Sequence, residues 1–466
     1  MKTIWNIPNW IQVCIIILYR LINEKYYVDY VVPVFSYSGY TNNADSYQYI
    51  LSWIFLLIMI PFYLKSFKTT DTLWQYLLLF LMCLKIIPLS IMIGKVEYEL
   101  EYIYLNFIFW ILFLGLYSIF PNIKLFSNSY IRKNRNVFNK ALSHIIILFV
   151  CAVIYVSGRY TGFHLHTSLI DVYDIRFEQR ENSYPMVFSY ILAASMTLCP
   201  LILCLLIDKK KYLLAFIFIF IVYLDFSIAG VKSILFATIA GVILKYYYKA
   251  KYKKAFFVYL TIALFVCFSF FDETILYAIT PLFLRVFYIP SGQDYEYYTF
   301  FNMFEPDLYR NSILRRFGFE SPYADTSVDI AVGEYFNPNV EGIRANNGLI
   351  SEAFANFGMV GCVILPIILV FYIKFVSSCS KGIDETYICL ISLLFCNALI
   401  SAFIPTSILS SGILFMMIFL VCYKATIIES ISIQRSGRSA PLRALSPLRT
   451  VHDSFPSYGS SNSILL

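Results

Sequence analysis

Apolar runs of about 18 to 25 residues recur along this 466-residue chain, separated by polar segments. A run of that length, wound as an α-helix, crosses the hydrocarbon core of a bilayer with its backbone polar groups satisfied inside the segment. The runs fall at 4–22, 47–64, 73–93, 102–120, 141–157, 186–207, 212–228, 233–248, 255–271, 348–373, 387–404 and 407–423. They predict an all-α polytopic integral membrane protein of about 12 transmembrane helices, with a long loop, 272–347, between the ninth and tenth. With 59% hydrophobic and 14% charged residues, a soluble domain of this size would have too little polar surface to stay dissolved.

Lysine and arginine collect in alternate loops: Lys65 and Lys68, then Lys124, Arg132, Lys133, Arg135 and Lys140, then Lys209 to Lys211, then Lys245 to Lys254, and the C-terminal tail. Basic loops are held on the cytoplasmic side, so both termini are expected there and the opposite, acid-rich loops outside. The first run has only Lys2 ahead of it and no small-residue cleavage signature behind it, which reads as an uncleaved first helix with Pro8 near its start. All but Cys379 of the eleven cysteines fall inside the runs, and no outer pair or CxxC pattern points to a disulfide or zinc. Residues 1–428 thus form one membrane domain; 429–466 turn to Ser, Pro, Arg and Gly and are expected to be disordered.

Three outer segments carry candidate chemistry. In 158–185, a helical wheel puts Arg176 and Arg180 on one edge and Asp171, Asp174, Glu178 and Glu181 on the other. Two arginines at i, i+4 repel mildly unless an anion sits between them; the alternative is a solvated amphipathic helix. Lys232 lies in the tight turn AGVKS, at the water boundary, as an anion ligand or as a snorkelling helix-end lysine. In the long loop, EPDLYRNSILRRFGFE predicts a short surface helix with Pro306 in its first turn, Gly318 at its end, and Arg310 on the face of Ile313, Leu314 and Phe317. That helix would meet a lipid-linked head group or lie inert at the interface. His164 and His166, near Asp171, sketch either a weak HxH site or a surface loop.

Arg344, Asn346 and Asn347 precede the tenth run, and Glu352 lies one turn inside it. Glu352, Asp225 and Lys85 are ionisable groups inside apolar runs, where each costs roughly 2.5–3.5 kcal/mol at a helix centre and so faces a cavity or a partner. Lys85 and Asp225 are expected to pair with neighbouring helices. Tyr295, Tyr297, Tyr298, Tyr309, Tyr323 and Tyr335 could stack on sugar rings or form an interfacial tyrosine belt.

The run ANNGLISEAFANFGMVGCVILPIILVFY, residues 345–372, resembles the loop-to-helix signature of the Wzy-type oligosaccharide repeat-unit polymerases of O-antigen and capsule synthesis. AGVKS and VVPVFSYSGY resemble two shorter blocks, and together these cover about a tenth of the chain. Gly358 and Gly361 also fit plain close helix packing. The resemblance implies a bacterial inner-membrane enzyme that transfers a growing glycan from undecaprenyl pyrophosphate onto a new lipid-linked unit at the periplasmic face, with a chain-length regulator as a further partner.

Under that resemblance, Arg176 and Arg180, helped by Arg344 or Arg310, hold the donor pyrophosphate; Lys232 adds charge; Asn346 and Asn347 contact substrate; Glu352 or Glu334 takes the acceptor proton. Arginine suits the task because its planar fork binds phosphate oxygens two at a time. With no DxD, metal-ligand cluster or nucleotide-binding loop, the expected reaction needs no metal, cofactor or nucleotide sugar, and no nucleic acid enters. An O-antigen ligase shares the topology and donor. A lipid-linked oligosaccharide flippase also has about 12 helices, but is expected to show broken helices and related halves.

Overall fold

The computed structural model describes residues 7–125, 128–165, 185–247, 250–312, 314–323 and 326–438, and every regular element among them is helical. The apolar runs fold as α1 (Asn9–Tyr26), α2 (Ser46–Ser66), α3 (Thr72–Lys95), α4 (Leu100–Ile119), α5 (Arg135–Tyr160), α6 (Met186–Ala193), α7 (Ser195–Asp208), α8 (Tyr212–Ala229), α9 (Lys232–Tyr247) and α10 (Phe256–Phe270). After them come α11 (Glu273–Met303), α12 (Val328–Phe336), α13 (Ile350–Phe357), α14 (Gly361–Ser380), α15 (Glu385–Ser401), α16 (Ile404–Leu409) and α17 (Ile413–Arg438). Pro8 caps α1, and the Asp45 and Asp71 carboxylates cap α2 and α3 by accepting from the backbone N–H groups of Gln48 and Trp74.

Among the described residues seven helices are long and apolar enough to cross a membrane, or eight if α6 and α7, bent by 55° about Ala194, form one span. The chain is therefore an all-helical, membrane-embedded protein. Reaching twelve spans requires adding shorter apolar helices such as Tyr212–Ile228, Glu385–Ser401 and Ile413–Ile427. Helix α3 is the hub, its apolar window 94% buried, with α15 against its first half and α2 against its second. Around it α4 packs on α14, α5 on α17, α7 on α9 and α1 on α10. Phe216, Phe236, Phe265 and Phe270 project outward from α8, α9 and α10, as residues that face lipid do.

Charge separates the two ends of the bundle. At one end Lys245 pairs with Asp208 at 3.1 Å and Lys253 with Glu385 at 2.7 Å, and Lys374, near the end of α14, and Lys381, just after it, line one cavity. At the other lie Glu97, Glu99, Glu101, Glu305 and Asp329, together with the termini of α1, α3 and α11. These are the basic and acidic ends.

The segment 272–347 is less a loop than a helical layer. Helix α11 is long and apolar enough to span, yet both its ends meet residues of the acidic end. Leu276 O and Thr280 Oγ1 bond the Tyr26 hydroxyl at 3.3 and 2.8 Å, while the Tyr298 hydroxyl donates to Glu99 at 2.8 Å. It runs across the bundle rather than through it. The short helix expected over EPDLYRNSILRRFGFE does not form: Leu308 and Tyr309 hold φ of +54° and +59°, outside the right-handed helical region, and the chain makes turns and a 3-10 segment, Leu314–Phe317. The cause is Asp307, whose carboxylate accepts from Asn311 N at 2.8 Å and Ser321 Oγ at 2.7 Å and closes the segment into a compact turn.

Candidate functional site

The segment 345–361 ties four parts of the chain together at the acidic end, and Asn347, Gly348, Gly358 and Gly361 each have a local task. Asn347, 2% exposed, donates through Nδ2 to Pro290 O at 2.7 Å, Asp294 Oδ1 at 2.9 Å and Ser351 Oγ at 2.9 Å. Gly348 N donates to Ile400 O, and a Cβ added there would lie 2.2 Å from Leu399 O and 2.5 Å from Ala402 O, so only glycine admits this approach. Gly358 turns the chain at φ +60°, and at Gly361 a Cβ would lie 2.1 Å from Ala353 O, which lets α14 start directly against α13.

Beneath Asn347 lies a fully buried ion pair, Lys85 Nζ to Asp294 Oδ2 at 2.6 Å. Lys85 also donates to Pro290 O at 2.6 Å, and Ser351 Oγ donates to Asp294 Oδ1 at 2.9 Å. A charge in such a place survives only when paired and hydrogen-bonded. Both partners sit at helix irregularities: Lys85 in the π-turn Met82–Ile86, and Asp294 one turn after Pro290 and the π-turn Leu284–Tyr288. Lys85 thus finds the neighbouring-helix partner expected of it, although that partner comes from the segment read as loop.

Glu352, 1% exposed, accepts through Oε1 from the Tyr309 hydroxyl at 2.8 Å and from Ile404 N at 2.9 Å. Tyr309 N donates in turn to Asn356 Oδ1 at 2.8 Å, and Asp307 N to Ala355 O at 2.8 Å, so the 305–311 turn is seated on α13. Burial, and then the adjacent Glu352, raise the Tyr309 phenol well above its ordinary range and keep it a donor. Arg310, next in the chain, donates to Glu305 Oε1 at 2.7 Å and to the carbonyls of Asp307 and Pro306 at 2.9 and 2.8 Å.

Arg344 donates to Asp329 Oδ2 at 2.9 Å with half its side chain exposed, and Asn346 is exposed beside it. Glu334 accepts from Gly342 N at 2.7 Å on the same rim. Lys232 opens α9, and no hydrogen bond or ion pair joins it to the Glu352 group among the described residues. Arg176, Arg180, Asp171 and His166 lie outside the described residues, as do 439–466 of the tail. Of the candidate tyrosines, Tyr297 and Tyr298 are interior, Tyr297 donating to Ala345 O at 2.9 Å, whereas Tyr335 is 45% exposed.

Sequence reading overlooked Asp294, Ser351 and Arg20, and named Tyr309 only as a tyrosine for sugar stacking or an interfacial belt. Arg20 is fully buried, donates to Ser52 Oγ at 2.7 Å and Ser90 Oγ at 3.2 Å, and lies 3.6 Å from the Trp53 ring centroid. Its position near the end of the first apolar run was the available signal. Comparison with protein-family models, curated proteins and solved structures finds no match for this chain.

Proposed function

We propose that the chain is a membrane glycosyltransferase that joins oligosaccharide repeat units carried on undecaprenyl pyrophosphate, acting at its acidic end. The observation that carries this reading is one turn, 307–311, which holds Arg310 at the rim while placing the Tyr309 hydroxyl 2.8 Å from Glu352. Cations for a departing diphosphate and a carboxylate for a proton are held by adjacent residues. In the proposed step an acceptor hydroxyl oxygen bonds to the anomeric carbon of the donor glycan as that carbon's bond to the pyrophosphate oxygen breaks. The electron pair leaves with the diphosphate, which Arg310 and Arg344 stabilise, with Arg176 and Arg180 as further ligands. The hydroxyl proton passes to the Tyr309 oxygen as the Tyr309 proton passes to Oε1 of Glu352, which must enter the step as the carboxylate. The acidic end would face away from the cytoplasm, where basic loops are retained.

A deletion strain in a bacterial host that makes a lipid-linked surface glycan tests this. Loss of the polymer ladder with survival of single-repeat product is expected, restored by the wild-type chain. Loss of all attached glycan would make the protein a ligase instead.

One observation favours a second reading, a flippase. The break between α6 and α7 has the fully buried Asp225 beside Ser195, with no cation paired to it among the described residues, and broken helices with buried acids suit transport. Repeat units retained on the cytoplasmic leaflet of the deletion strain would decide for it.

A further inference from the structure

At the basic end, far from the Glu352 group, a cavity of about 220 Å³ opens between the starts of α3 and α15 and the end of α14. Its walls include Asp71, Asn122, Lys374, Ser378, Lys381 and Gly382. That volume accommodates several waters or one phosphate group.

Its charges do not balance. Lys374, 6% exposed, donates to Asn122 Oδ1 at 2.8 Å and lies 3.9 Å from the Tyr117 ring centroid, and no carboxylate lies within 4 Å of it among the described residues. An ammonium has three N–H donors, so a buried one with a single hydrogen bond keeps two for a ligand, and Asp71, the nearby acid, is not in contact with it. Lys381 is exposed at the mouth, and Lys424, 6% exposed, comes up behind Gly382. The carboxylate in the wall, Asp71, is committed elsewhere: Oδ2 accepts from Tyr117 at 2.6 Å, and Oδ1 from Ser377 Oγ at 2.7 Å and Trp74 N at 3.2 Å. Two lysines therefore line a space whose one acid already serves three donors, with Lys424 behind its Gly382 wall. The hydroxyls of Ser378 and Ser380 donate to helix carbonyls and can rotate to a ligand.

We propose that this cavity binds a single phosphate group, with Lys374 as its inner ligand and Lys381 as its outer one. Free phosphate and the head group of an anionic phospholipid share that chemistry, and basic pockets between helices are suited to the latter. The site is independent of the glycan reading, so either can fail without the other.

The test uses the full chain, delipidated in neutral detergent, as wild type, Lys374→Met and Lys381→Met. Inorganic phosphate at matched ionic strength, and separately phosphatidic acid in mixed micelles, are titrated while thermal unfolding and bound mass by native mass spectrometry are followed. Wild type is expected to take up one equivalent of one or both probes with a rise in midpoint, and Lys374→Met to bind about tenfold more weakly. A response to phosphate alone identifies a soluble ligand; a response to phosphatidic acid alone identifies a lipid. Lys381→Met, altered at an exposed residue, serves if Lys374→Met does not fold, and is expected to weaken binding severalfold. Equal response of wild type and a folded variant, or no response to either probe, overturns the proposal.

Discussion

Lys85 and Asp294 meet at 2.6 Å with no exposed side-chain surface on either, and through Asn347 and Ser351 this pair joins α3, α11 and α13. The pair fixes the layer formed by 273–303 onto the bundle, because a lone charge left there has no water to turn to. Asp294→Leu alone should therefore cost about 3–5 kcal/mol, while Lys85→Met with Asp294→Leu should cost markedly less, since removing both charges also removes their desolvation penalty. Thermal unfolding in detergent of the two single variants and the double variant forms the cycle that measures the coupling. Single losses that simply add in the double variant would mean that the pair does not hold the layer.

The glycines of the 345–361 segment make a sharper structural prediction. Gly348→Ala places a methyl group 2.2 Å from Leu399 O and Gly361→Ala one 2.1 Å from Ala353 O, against backbone that cannot rotate away. Each should lower stability by about 1–3 kcal/mol or more. Gly115→Ala, where nothing lies within 4 Å of the added carbon, is the control and should be neutral or slightly stabilising because alanine favours a helix. Retained monodisperse protein after size-exclusion chromatography reads the difference.

These two predictions also mark where the sequence was legible. The helical, apolar character of the chain was legible because a membrane span demands length and apolarity before anything else. Seven helices meet that demand among the described residues, not twelve, and one of them is Glu273–Met303 in the segment read as loop. Lys85 announces a partner because an ammonium in an apolar run must have one. That the partner is Asp294 could not be read, since QDYEYY is polar enough to resemble loop. The segment is helical because one face packs on the bundle while Tyr298 reaches Glu99 and Glu101. The Pro306-to-Gly318 helix failed for the opposite reason: its periodicity was right, but local hydrogen bonds of Asp307 outcompeted it. Gly358 and Gly361 read as packing residues; Gly361 is used so, whereas Gly358 serves a turn at positive φ with only ordinary contact at Pro306.

At the proposed reaction centre, Tyr309→Phe deletes one hydroxyl and leaves Glu352 with Ile404 N as a donor at 2.9 Å. If that hydroxyl relays the acceptor proton, polymer formation should fall by about 10²-fold or more, the range for a removed acid–base group. Because the Tyr309 phenol is raised above its ordinary value by burial and then by Glu352, it stays protonated throughout the physiological range. Wild-type activity should show no loss attributable to its ionisation as pH rises from 6 to about 9. Glycan-ladder intensity at matched protein level, for Tyr309→Phe beside Glu352→Gln, is the measurement. Full-length ladders in both variants would remove the pair from the chemistry.

Arg344 offers the cleanest separation of charge from architecture. Its bond to Asp329 is half exposed, and such pairs contribute about 0–1 kcal/mol, so Arg344→Ala should leave folding almost unchanged. Arg310 differs, because its guanidinium also holds the carbonyls of Pro306 and Asp307, and its loss would loosen the turn that carries Tyr309. If both arginines meet a departing diphosphate, Arg344→Ala should reduce polymer yield by about 10²- to 10³-fold with stability intact. Arg344→Lys should recover only part of it, since a point charge replaces a fork. Arg310→Ala should lose both activity and stability. Wild-type polymer from a stable Arg344→Ala protein would exclude Arg344 from the diphosphate site and leave Arg310, with Arg176 and Arg180, to be tested as its cations.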